Sequence, residues 1–363
     1  MFGIIVPLLF AEGALRMAGA LLPGDYQTTS FLEAHPQFGR RNKPGAGWKK
    51  TQEFTSWIDV NSKGLRGPEI EYAKPPGERR VLVLGDSFTF AEQVNQDETF
   101  TQRLETRLGS AQDGGTYRVL NAGSNGWATA NELVFLAKEG VRFEPDLVVL
   151  ALYLGNDVSD NYRRLDIKRV AEDADLALRG ADAFDGPRRL LRRSQLYTFI
   201  ETGVLAKLPW FASAEGGDSD ASDRKSPKTL EEAQEAWEIT EGLLDRMRDV
   251  AESRGARFMV MVVPAADVVA QGGRVKEPDA DDLEDGIVAG FEPGFEDPHG
   301  TFAQLAARHD LVTLDLLDEI KQQSIRSKQR LYYRQNAHWT AAGHAIAATE
   351  LYEFIAARGL LAH

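Results

Sequence analysis

The chain contains no cysteine in its 363 residues. Disulfide scaffolds, cysteine nucleophiles, cysteine-ligated zinc and iron–sulfur clusters are therefore excluded. The compartment stays open, because a domain of this size folds without disulfides on either side of a membrane. Positive charge is also scarce: 42 Lys and Arg against 55 Asp and Glu leave a net charge of −13. Nucleic-acid binders need a basic footprint, so no nucleic-acid partner is expected. Long apolar runs are missing too. Phe2–Ala11 is apolar, but Glu12 and Arg16 interrupt it before Ala18–Leu22. That falls short of the roughly 20 apolar residues a spanning helix wants. No basic segment precedes the run, as a signal peptide would require. Residues 1–22 read either as the remainder of a signal-anchor or membrane-associated helix, or as an amphipathic or buried helix of a soluble protein. Pro7 and the lack of helical periodicity favour membrane association.

What is present is ordinary globular material, 43% hydrophobic and 27% charged. The length fits two domains or one large domain with insertions. Residues 23–78, rich in Gly, Pro, Asn and Lys, read as an extended lead-in segment before a main domain at 79–363. Short apolar, β-branched runs predict strands at 80–84, 117–121, 147–153, 257–263 and 311–314. Helical spacing between them covers 99–108, 128–140, 229–255, 301–309 and 340–358. Strands apolar on both faces that alternate with helices imply a parallel sheet covered on both sides. The expected fold is α/β, a three-layer doubly wound (flavodoxin-like) parallel sheet of about five strands, with insertions. Two stretches break the alternation. Residues 160–228 hold Arg188, Arg189, Arg192 and Arg193 and then a polar tract; 277–297 carry nine acidic side chains and no basic one. Both read as solvated surface insertions, the first alternatively as a lid.

Sheets of this kind bind ligands just beyond the carboxyl ends of their strands. After the first strand comes Gly85-Asp86-Ser87-Phe88-Thr89; a serine there presents its hydroxyl beyond the sheet, near a helix N-terminus that favours a developing anion. Taken alone it is equally an N-cap serine. The second strand runs into Asn121-Ala-Gly123-Ser-Asn-Gly126-Trp127, where glycine lets backbone N–H groups approach a ligand. The third runs into Gly155-Asn156-Asp157, whose asparagine amide can donate to an oxyanion or simply form an Asx-turn. Near the C-terminus stand Asn336-Ala-His338-Trp339-Thr340 and then Gly343-His344, in a chain with six histidines. His344 falls inside the last helix and reads as structural. Ser, Gly, Asn and His thus occur in order, each at an element end. Together they supply the nucleophile, oxyanion donors and base that serine hydrolysis needs.

GDSFT, NAGSNG, GND and NAHWTAAGH resemble the four sequence blocks of the SGNH (GDSL-type) hydrolases, in the right order, across about 81–157 and 257–355. Asn61-Ser-Lys-Gly64-Leu-Arg66-Gly67 resembles the lead-in of bacterial membrane-anchored members. The resemblance implies Ser87 as nucleophile, His338 as base, and the Ser87 N–H, Gly126 N–H and Asn156 amide as the oxyanion hole. It implies no cofactor and no metal. One departure stands out. The family usually has an aspartate two or three positions before the histidine, where this chain has Gln335 and Asn336. A Ser–His dyad is therefore expected, with Asn336 or a backbone oxygen orienting the imidazole. The expected activity is a serine esterase on acetyl or short acyl esters, with a small-molecule or polysaccharide ester as substrate. The alternatives are an O-acyltransferase on an envelope polysaccharide and a non-catalytic carbohydrate-binding relative. The expected location is the extracytoplasmic face of the cell envelope through the N-terminus, and otherwise the cytoplasm.

Overall fold

The computed structural model describes residues 31–35, 38–110, 115–163, 227–270, 294–327 and 329–361. The N-terminal stretch 1–22, nearly all of the 160–228 insertion and most of the 277–297 acidic loop lie outside the described residues.

Five parallel strands form the central sheet: β5 (Glu78–Gly85), β6 (Thr116–Gly123), β7 (Leu147–Tyr153), β8 (Arg257–Val263) and β9 (Thr313–Asp315). Their order across the sheet is β6-β5-β7-β8-β9. Every strand falls within a few residues of its sequence expectation. The reason is visible in the packing. Leu82, Leu84, Val148, Leu150, Val260 and Val262 face one core, and Val81, Val83, Leu147, Val149, Met259 and Met261 face the other. A strand wedged between two cores must be apolar at every position. Truncating one of these side chains, Leu82→Ala for instance, costs on the order of 2–5 kcal/mol.

Helices α3 (Thr129–Lys138), α5 (Leu230–Glu252) and α7 (Pro298–Arg308) close the first core; α2 (Phe100–Gly109), α8 (Leu317–Arg326) and α9 (Ala341–Ala357) close the second. The result is a three-layer doubly wound sandwich. The capping logic is local: Thr229 and Glu232 form a reciprocal box at the start of α5, and Asp297 caps Gly300 N–H with Pro298 in the first turn of α7. Three short helices, α1 (Ser87–Phe90), α4 (Asp157–Arg163) and α6 (Ala266–Ala270), follow β5, β7 and β8 at the carboxyl edge.

The segment before the sheet contains two antiparallel hairpins, β1 (Leu32–His35) with β2 (Gly39–Asn42) and β3 (Gly45–Lys50) with β4 (Thr55–Val60). Arg66 then joins them to the sheet, its N–H donating to Asn121 O at 3.1 Å. The strand order reverses direction between β5 and β7, so the ligand crevice of such a sheet opens between their carboxyl ends. Ser87 follows β5 and Asn156 follows β7.

Candidate active site

The turn after β5 is built around Gly85 and Gly123. A Cβ on Gly123 would lie 2.3 Å from Phe90 N and 2.6 Å from Thr89 C, so the second block must have no side chain where it crosses α1. Asp86 caps α1, its carboxylate accepting from Phe88 N–H at 2.8 Å. Ser87 is thereby the first residue of a single helical turn, which Ala91 ends in a left-handed conformation at φ 59°.

The Ser87 hydroxyl lies 2.7 Å from His338 Nε2, across 251 positions of sequence. His338 Nδ1 lies 2.8 Å from the main-chain oxygen of Asn336. A carbonyl can only accept, so the Nδ1 position carries the proton and Nε2 presents its lone pair to the serine. This is the tautomer a general base needs. The turn that brings the Asn336 carbonyl back onto the ring passes through Ala337 at φ 57°. Left-handed backbone is unusual for a residue with a Cβ and tends to persist where surrounding contacts hold it. The side-chain Oδ1 of Asn336 is buried and has no partner, so its backbone, not its amide, meets the imidazole.

The Phe88 ring stacks on the His338 ring with centroids 4.6 Å apart and planes 26° off parallel. Burial lowers the His338 pKa below 6.5, against the opposing pull of the Asn336 hydrogen bond and the Glu92 charge. The imidazole is thus mainly neutral at neutral pH. Behind the serine, burial pushes the Asp86 carboxyl up to about 7, with the Asp160 charge adding to it and bonds from Phe88 and Ser87 opposing. Asp86 Oδ2 stands 3.4 Å from the Ser87 hydroxyl, a far looser contact than His338 makes. The serine proton is directed at the histidine.

The remaining expected residues sit at the same edge. Gly126 lies in the turn after β6 at φ 73°, with open space where a Cβ would point. Asn156 sits at the head of α4, its carbonyl accepting from Asp160 N–H at 2.7 Å and its side-chain Oδ1 unpartnered. The neighbouring Asp157 holds the end of β7 through Tyr153 N–H at 2.8 Å. His344 is buried between Phe100 and Trp339, and burial pushes its pKa down to about 3. Among the described residues no group of three or more His, Cys, Asp or Glu side chains could hold a metal ion, and no helix is long and apolar enough to cross a membrane.

Two residues around the site carry no assigned part in the sequence blocks. Arg66 is buried beneath α1, donating to Phe90 O at 2.6 Å, to Val94 O at 2.5 Å and to Ala91 O. Its motif was legible, its task was not. Glu53 accepts from three successive main-chain amides of the histidine loop. No spacing in the sequence could signal this, because its partners are backbone groups some 280 positions away.

Residues 222–363 match the family model described as SGNH hydrolase-like domain, acetyltransferase AlgX. No curated protein matches the chain in sequence. Among solved structures, the acetyl xylan esterase AlAXEase is similar at 12% identity and TM-score 0.41, over 76% of this chain and 98% of that one. The lipase/acylhydrolase from Enterococcus faecalis is similar at 14% identity and TM-score 0.40, over 77% and 96%. The psychrotrophic esterase EstA from Pseudoalteromonas sp. is similar at 13% identity and TM-score 0.39, over 77% and 98%. Residues 222–363 are thus similar to an SGNH hydrolase-like domain, and they complete the doubly wound sheet with β8 and β9.

Proposed function

We propose that the chain is a serine-dependent enzyme of ester bonds that works through an acyl-enzyme on Ser87. The observation that supports this best is the 2.7 Å approach of Ser87 Oγ to His338 Nε2, with Nδ1 held by the Asn336 carbonyl. His338 takes the Ser87 proton as Oγ attacks the ester carbonyl. The tetrahedral oxygen bears the negative charge, and the Ser87 and Gly126 N–H groups and the Asn156 amide are its donors. One such donor typically contributes about 10²–10³ in kcat. His338 then protonates the departing alcohol, and a water deprotonated by the same imidazole releases the acid.

A carbonyl in place of the usual carboxylate has a calculable consequence. In a serine-protease triad, Asp→Asn lowers kcat about 10⁴-fold, largely through the wrong tautomer. A main-chain oxygen keeps the right tautomer because it cannot donate. It lacks only the full charge opposite the imidazolium, so the loss is smaller than for an amide side chain.

A second reading is favoured by the family description matched over 222–363, the stretch that holds His338. In it a sugar hydroxyl of an envelope polysaccharide replaces water and receives the acetyl group. A position at the cell envelope goes with this reading. Incubating the protein with p-nitrophenyl acetate, with and without polysaccharide, separates the two. Acetyl gain on the polysaccharide by mass spectrometry supports transfer, and nitrophenol release independent of acceptor supports hydrolysis. Unchanged turnover in Ser87→Ala would overturn both.

A further inference from the structure

Glu53 lies in the turn between β3 and β4. Thr51 shapes that turn, its N–H donating to Phe54 O at 2.9 Å and its hydroxyl accepting from the N–H groups of Glu53 and Phe54 at 3.2 Å each. The Glu53 carboxylate then receives Arg334 N–H at 2.8 Å, Gln335 N–H at 2.9 Å and Asn336 N–H at 2.9 Å. Successive amides converging on one anion form a strong, directional grip. Burial would raise the Glu53 pKa, but the three amides and the Arg330 charge outweigh it and leave the group lowered and ionised. Phe54 packs on Tyr333 beside it, ring centroids 5.3 Å apart.

The hairpin is itself tied to the nucleophile's side of the crevice. Lys49 pairs with Glu92 at 3.3 Å, Ser56 donates to Glu92 O at 2.5 Å, and Trp57 N–H donates to Asn95 Oδ1 at 2.9 Å. Residues 92–95 follow directly on α1. The hairpin therefore bridges the loop after Ser87 to the loop before His338.

We propose that Glu53 is a positioning residue for His338, fixing the 334–336 backbone so that the Asn336 carbonyl meets Nδ1. A carboxylate is thus present in the arrangement, one step back from the imidazole and acting through the main chain. Holding it matters because Ala337 sits in left-handed backbone at φ 57°, unfavourable for a residue with a Cβ, which the loop would relax if released. Relaxation would swing the Asn336 carbonyl away and free the imidazole to turn. The inference rests on the reading of Ser87 and His338 as nucleophile and base.

The test is steady-state hydrolysis of p-nitrophenyl acetate by the wild type, Glu53→Ala, Glu53→Gln and Ser87→Ala. A displacement near 1 Å at a reacting group costs about 10²-fold. Glu53→Ala is accordingly expected to lose about 10- to 100-fold in kcat with KM nearly unchanged. Glu53→Gln should fall between, because its one oxygen cannot serve all three amides and its NH₂ opposes one of them. Gln, isosteric and spared the loss of packing, decides the matter if the alanine variant folds poorly. Wild-type kcat in Glu53→Gln, or a change confined to KM, overturns the proposal while an inactive Ser87→Ala leaves the acyl-enzyme reading standing. An active Ser87→Ala overturns the reading beneath it, and the proposal with it.

Discussion

Replacing Arg66 with methionine tests whether the segment before the sheet builds the turn that carries Ser87 or merely covers it. Arg66 is 2% exposed, and its guanidinium donates to the carbonyls of Phe90, Ala91 and Val94. Burial lowers its pKa to about 10, against the opposing charges of Glu92 and Glu98, so it stays cationic at neutral pH. Methionine fills a similar volume and leaves the carbonyls of Phe90 and Val94 without a donor, whereas Ala91 O keeps the Val94 N–H at 3.2 Å. Each unsatisfied acceptor costs about 1–3 kcal/mol. Relieving the desolvated cation offsets part of that, leaving a net loss on the order of 3 kcal/mol. At about 2–4 °C per kcal/mol in a domain of this size, Tm should drop by about 6–12 °C in a calorimetric scan. Activity should fall as well, since the carbonyls released are those that end the helical turn begun by Ser87. Arg66→Lys should recover only part, because a compact ammonium cannot reproduce the planar fork. A Tm within about 2 °C of wild type for Arg66→Met would refute the reasoning.

The lowered His338 pKa sets the sign of the pH profile. With His338 as the proposed base, the neutral imidazole is the working form, lost only as pH falls through a midpoint below the ordinary 6.5; kcat/KM should therefore rise with pH below that value and level off above it. An acid limb centred above pH 7 would contradict burial as the controlling influence. Gly123→Ala should destabilise by about 1–3 kcal/mol and sharply reduce turnover, because its Cβ would meet the backbone of Thr89 and Phe90. Chemical denaturation with the esterase assay checks both, and a wild-type midpoint would show that the crossing is looser than described.

The sheet was readable because parallel strands buried on both faces leave an unbroken apolar run, as in Leu147–Tyr153. The three strand ends that carry Ser87, Gly126 and Asn156 are readable for the complementary reason, that polar residues at the rim of such a sheet stand where ligands bind. The hairpins were not read as strands, although Thr55–Val60 alternates exposed and buried positions in the two-residue period of a half-buried strand. Gly and Lys in β3 mask that period, and Trp48 and Trp57 lie exposed, paired across the hairpin rather than buried. The departure from the usual aspartate is visible at Gln335 and Asn336, and so are its two remedies, the Asn336 side chain or a backbone oxygen; the choice between them is not. Which atom meets His338 Nδ1 depends on a left-handed Ala337, and an alanine advertises no such conformation. Glu53 is hidden more deeply, because a carboxylate that grips main-chain amides leaves no complementary residue type to find.

The proposed chemistry requires Ser87 and His338 to act as one unit, and covalent capture measures this directly. Treatment with a fluorophosphonate followed by peptide mass spectrometry should place a single adduct on Ser87, formed far more slowly in His338→Ala at the same pH. An adduct elsewhere, or labelling of Ser87 at an unchanged rate without the imidazole, would contradict it.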